Sequence, residues 1–135
     1  MSSQNPTGKT KSQGWQVGVS RTLPVDEQAA WQKIVSALSL DWQDTAQADY
    51  KKGDTFVTAV GTQVEIRSYE HGALIRMKWQ PKGWDNNSTL QVRVRPAKTG
   101  TTISVHHEWL QNAEQREAML QHWTNLLEKL KAELS

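Results

Sequence analysis

A chain of 135 residues is the size of one domain and buries roughly two thirds of its unfolded surface, so it needs no covalent or metal staple. It has no cysteine, which excludes disulfides, thiolate zinc sites and thiol catalysis. Its 16 basic and 14 acidic residues are interspersed and leave a net charge of +2; no basic run would hold a nucleic-acid backbone, and no stretch approaches the ~18 apolar residues of a membrane span. Seven Trp against one Phe and two Tyr concentrate the aromatic surface in a few bulky side chains.

In chain order, residues 1–13 are polar, carry Pro6, Gly8, Lys9 and Lys11, and have no apolar segment of the secretory kind. They are expected to form a disordered tail, with residues 14–135 as a single domain. Trp15, Val17 and Val19 alternate with Gln16, Gly18 and Ser20, which predicts a half-buried strand ending near Leu23 and Pro24. Asp26 is placed to cap a short helix, with Glu27 in its first turn and Ala30, Trp31, Ile34, Val35 and Leu38 at helical spacing. Leu40 to Lys52 reads as a loop with at most one helical turn.

From Gly53 the period becomes two. Thr55 to Val60 is β-branched and aromatic, and Gly61-Thr62 turns the chain. Val64, Ile66 and Ser68 alternate with Glu65, Arg67 and Tyr69; His71-Gly72 makes the next turn. Ile75, Met77 and Trp79 alternate with Arg76, Lys78 and Gln80 until Pro81. After a polar loop holding Trp84, Leu90, Val92 and Val94 form a strand closed by Pro96, and Ile103, Val105, His107 and Trp109 form the last one. Asn112 caps a final helix, with Gln115 at the capping-box position. That helix, Ala113 to Leu134, is about 33 Å long. Met119, Leu120, Trp123, Leu126, Leu127, Leu130 and Leu134 make one apolar stripe along it.

Strand, helix, about five strands joined by short turns, and a long helix define an α+β fold. A curved antiparallel sheet of about six strands should grip the C-terminal helix, since only that helix has a stripe large enough to cover one face.

This layout resembles the START-like, Bet v 1-like superfamily, also called SRPBCC or helix-grip, and within it the Aha-type family related to the activator of the heat-shock chaperone ATPase. The residues that carry the resemblance are Val19-Ser20-Arg21-Thr22-Leu23 leading to Trp31, Ile75-Arg76-Met77-Lys78-Trp79, Ser88-Thr89-Leu90-Gln91-Val92, Gly100-Thr101-Thr102-Ile103 running to His107, and Trp123 with Leu127 and Leu130. One departure is His122, where many relatives have Gly; the helical wheel turns it outward. The resemblance implies a cavity between sheet and C-terminal helix, in a superfamily whose members bind hydrophobic small molecules, act as cyclases or hydrolases, or serve as co-chaperones.

The expected cavity lining is Trp31, Ile75, Met77, Trp79, Val92, His107, Trp109, Arg116, Leu120, Trp123 and Leu127, with no catalytic residue, metal or cofactor assigned. His106 and His107 are strand neighbours and point to opposite faces, so they cannot share a metal; an inward His107 is by default a hydrogen-bonded core residue. His107-Glu108 opens like a zinc-protease motif, but position 111 is Gln and the segment is a strand. Arg116 projects from the centre of the apolar arc in the first helical turn, where it would meet an acidic ligand or run its stem along the rim. Arg76 and Glu65 belong to outward faces, solvated or paired across strands. The leading expectation is a cytoplasmic, non-enzymatic domain holding a hydrophobic small molecule. The alternatives are a chaperone-interaction domain with an exposed patch around Trp84 and Trp42, and an enzyme of the cyclase or hydrolase kind using His107 with Arg116.

Overall fold

The structure, a computed structural model, describes residues 9–10, 14–38, 51–58 and 61–134. Its elements are β1 (Lys9–Thr10), β2 (Gly14–Leu23), α1 (Glu27–Ala37), β3 (Thr55–Val57), β4 (Gln63–Glu70), β5 (Leu74–Gln80), β6 (Ser88–Ala97), β7 (Gly100–Leu110) and α2 (Ala113–Leu134). All pairings are antiparallel, in the order β1-β2-β7-β6-β5-β4-β3. The five consecutive strands from β3 to β7 form a meander. The chain enters at the far side through β2, and α1 follows, packed against β6 and β7. The fold is α+β, a curved, unclosed sheet with a short helix after its first long strand and a long C-terminal helix: the helix-grip arrangement.

Local chemistry explains the element ends. Asp26 is extended, and its carboxylate accepts the Ala29 N–H at 2.8 Å, fixing the start of α1. At the start of α2, Asn112 Oδ1 accepts the Gln115 N–H at 2.8 Å while Gln115 Oε1 takes the Gln111 N–H, also at 2.8 Å. This is a reciprocal cap shifted by one residue from the usual box. The β6–β7 turn needs glycine: at Gly100 an added Cβ would lie 2.0 Å from the Leu23 carbonyl oxygen. Strand β6 continues through Pro96 to Ala97, beyond the stop expected at Pro96. Pairing with β5 ends at Arg93, so the nitrogen of Pro96 owes no hydrogen bond to a neighbour on that side.

The core joins β2, β4, β5, β6 and β7 to both helices. Leu23, Ile34, Ile66, Ile75, Leu90, Val92, Ile103 and Leu127 are sealed within it. The apolar stripe of α2 is narrower in practice than on the wheel: Trp123, Leu127 and Leu130 are buried, while Met119, Leu120, Leu126 and Leu134 are half-buried at its margins. Two bulges interrupt the pleat. In β4, Arg67 is the extra residue between Ile66 and Ser68, so Tyr69 swings to the helix side and meets Trp31 edge-on at 6.0 Å. The alternation in the sequence had put Tyr69 on the outer face. In β7, Glu108 and Trp109 together oppose Gln16 of β2. Lys9 and Thr10 pair with Trp15 and Gly14; the rest of the expected tail, the loop carrying Leu40, Trp42 and Tyr50, and Val60 lie outside the described residues.

Candidate functional site

Residues that alternate inward on adjacent strands meet the middle of α2. Trp79 of β5, Ser88 of β6 and His107 of β7 sit there, with Trp123 of α2 above and Trp84 of the β5–β6 loop alongside. The His107 ring stacks on Trp84 at 6.2 Å with planes 16° apart, and stands edge-on to Trp123 at 5.9 Å. Trp79 and Trp123 are 6.1 Å apart. These rings occupy the space between helix and sheet.

Their polar atoms form one chain. The Trp123 indole N–H can only donate, and it donates to His107 Nδ1 at 3.1 Å. His107 therefore carries its proton on Nε2, which donates to Ser88 Oγ at 2.7 Å. Ser88 then donates to the Trp79 carbonyl at 2.5 Å. Every member is satisfied, and no buried side-chain nitrogen or oxygen among the described residues lacks a partner. Burial, followed by the nearby His122 and His106, lowers the His107 pKa to about 3, so the ring is neutral. A neutral imidazole whose Nε2 already holds a proton cannot accept the Ser88 proton. The contact looks like a nucleophile–base pair but has the opposite polarity.

Of the expected cavity residues, Ile75, Met77, Trp79, Val92, His107, Trp123 and Leu127 are buried together, and Leu120 is half-buried. Trp31 belongs to a separate aromatic cluster with Tyr69 and His71. Arg116 is half-buried, and its Nε donates to the Gln16 carbonyl at 2.8 Å, tying the first turn of α2 to β2. The two His107 ring nitrogens are engaged by other groups, Trp123 and Ser88.

Trp109 is a correction: it is 47% exposed rather than inward. The bulge inserts one residue before it and reverses its face. Its φ of 61° is left-handed, a conformation that costs a bulky residue energy. Two neighbours hold it there. Its ring lies over Gly14, where an added Cβ would be 3.1 Å from Cε3, and Asn86 Nδ2 donates to its carbonyl at 3.3 Å. On the outer face Arg76 and His106 both approach the buried Glu108 carboxylate, at 3.9 and 3.6 Å, and Glu65 pairs with Arg67 at 2.7 Å.

Among the described residues, hollows open elsewhere, and two of them are not lined by Trp79, His107 or Trp123. The larger, about 430 Å³, lies between Lys33 and Ala37 of α1 and His122, Leu126, Lys129 and Leu130 of α2. The smaller, about 290 Å³, lies beside β3 at Phe56, Val57 and Lys78. Sequence reasoning did not identify the larger one, although His122, Leu126, Lys129 and Glu133 recur at helical spacing beside the apolar stripe. What it lacked was the tertiary fact that α1 lies next to that flank. Ser88 was within reach of the alternation, two residues before Leu90 on the same face.

Solved structures share this architecture. An HSP90 activator from Plasmodium falciparum is 18% identical with a TM-score of 0.69, over 88% of this chain and 95% of that one. A Mesorhizobium loti protein, MLL2253, is 21% identical with a TM-score of 0.63, over 87% of this chain and 94% of that one. DynU16, described as a putative protein in the dynemicin biosynthetic locus, is 14% identical with a TM-score of 0.71 over 88% of this chain; the match spans 46% of DynU16, about half its length. No curated protein matches the sequence. At these identities the likeness is one of fold. The model of the "Activator of Hsp90 ATPase homolog 1-like protein" family matches residues 27–135, and the chain therefore belongs to that family, within the START-like superfamily.

Proposed function

We propose that this domain is a non-enzymatic binding module that holds an apolar small molecule against its C-terminal helix, seated in the hollow between α1 and α2. The observation that carries this reading is the hollow itself. Its volume of about 430 Å³ suits a small ligand, and Ala37, Leu126 and Leu130 give it an apolar lining beside polar groups. A ligand in the Trp-rich interior would instead have to displace Trp84 or Trp123 and break a fully satisfied polar chain. His107 and Ser88 offer neither a free base nor an activated nucleophile, so the reading includes no reaction. A cysteine-free chain suits the reducing cytoplasm.

The test is native mass spectrometry of freshly purified protein, paired with Ala37→Phe, which fills the hollow from an exposed position. A co-purified adduct on the parent and none on the variant, at unchanged Tm, is the expected outcome. An adduct kept by Ala37→Phe but lost on Trp84→Ala would return the ligand to the interior and sink the proposal.

A second reading, interaction with a heat-shock chaperone, is favoured by one observation beyond the family: Trp109 is held outward in a costly backbone conformation. Trp84, the anchor expected from the sequence, is half-buried against His107, and Trp42 lies outside the described residues. Pull-down with an Hsp90-type ATPase, lost on Trp109→Ala, would support this reading; equal capture by the variant would end it.

A further inference from the structure

We infer that the ligand of the α1–α2 hollow is an amphipathic anion, a carboxylate or phosphate head on an apolar tail. This rests on reading that hollow as a binding site.

The charges around it are lopsided. Lys33 of α1 and Lys129 of α2 supply two cations against the single carboxylate of Glu133. The Lys33–Glu133 pair is long, at 3.8 Å, and both side chains are partly exposed, so an incoming anion can compete for Lys33 at little cost. Lys129 is in no ion pair among the described residues. His122 lies two turns before Lys129, on the same side of α2. The apolar members, Leu126 and Leu130, run alongside at their own four-residue spacing. Lys33 faces these side chains from α1, so a ligand lying between the two helices meets the apolar Leu126 and Leu130 together with two ammonium groups, which matches a molecule that carries both an apolar and an anionic part.

His122 gains a role here. Its ring packs edge-on against Trp123 at 4.5 Å, and partial burial lowers its pKa, so at neutral pH it is an uncharged donor. The groups around it are Lys33 from α1, Lys129 and Glu133 from α2, and His107 from β7 behind Trp123. An anion bound beside His122 favours its protonated form and raises its pKa.

The experiment titrates decanoate and decyl phosphate into the full chain, with decanol and decyltrimethylammonium as controls, all below micelle-forming concentrations. NMR follows the Leu126 and Leu130 methyls and the His122 ring. One or both anions should shift these methyls and raise the His122 pKa by about half a unit or more. Lys129→Gln should weaken anion binding about three- to tenfold. The tighter-binding anion identifies the head group. If decanol or the ammonium binds as well as the anions and the His122 titration does not move, the anion assignment fails while the hollow survives as a site. If no probe shifts Leu126 or Leu130, both readings fail together. If the shifts fall on Met77 and Leu127 instead, the site is in the interior and this inference is wrong.

Discussion

His107→Gln tests the central polar chain through its pH dependence. In the folded state His107 is sealed and neutral, with a pKa of about 3; unfolded, it returns to about 6.5. Below pH 6.5 the unfolded chain therefore binds a proton that the folded chain refuses. The stability His107 contributes is complete above pH 6.5 and is lost as the pH falls toward 3. One proton of difference costs about 1.4 kcal/mol per pH unit, so about 2 kcal/mol is gone by pH 5. Against a typical total of about 5–15 kcal/mol, that is large. Urea unfolding followed by tryptophan fluorescence at pH 7, 6 and 5 would measure it in both proteins. Glutamine can accept one hydrogen bond and donate another without titrating. Other groups, including His122 with its own lowered pKa, titrate in both proteins and cancel in the comparison. Parent and variant should differ by a slope of about 1.4 kcal/mol per pH unit below pH 6. A flat difference would mean that the folded protein can protonate His107, and that the direction assigned to the Trp123 bond is wrong.

Gly100→Ala should remove more than about 2 kcal/mol, because the added Cβ runs into the Leu23 carbonyl and neither backbone can yield cheaply; thermal denaturation would show it. Asn112→Ala should cost about 1 kcal/mol and raise amide exchange in the first turn of α2 ahead of the rest of the helix.

The sequence carried those parts of the fold in which each residue's type and its local period agree. Asp26 capped where it was expected, the turns at His71-Gly72 and Thr99-Gly100 fell in place, and α2 runs the length its stripe demanded. The departures are at the bulges. A bulge inserts one residue without changing the kind of side chain on either side, so Arg67 and Glu108 leave no mark in the alternation, yet each reverses the face of the next residues in its strand. Tyr69 came in and Trp109 went out for that reason. A glycine at position 109 would have flagged the second bulge; a tryptophan in the left-handed region hid it. Within the aromatic cluster, spacing alone gave His107, Trp79 and Trp123. The order of donors and acceptors could only come from geometry, because Ser88 and Trp84 are 19 and 23 positions from His107 in the chain.

The one-way run from Trp123 through His107 and Ser88 to the Trp79 carbonyl joins the C-terminal helix to three neighbouring strands. Leucines tolerate sliding and rolling; a directional relay does not. Turning the rod by one position, about 100°, would carry the indole away and leave His107 Nδ1 without its donor in a greasy setting. The relay acts as a key that selects one rotational setting of the rod from several that oily contact alone would accept. Replacements along it should therefore be tolerated in matched pairs more readily than singly.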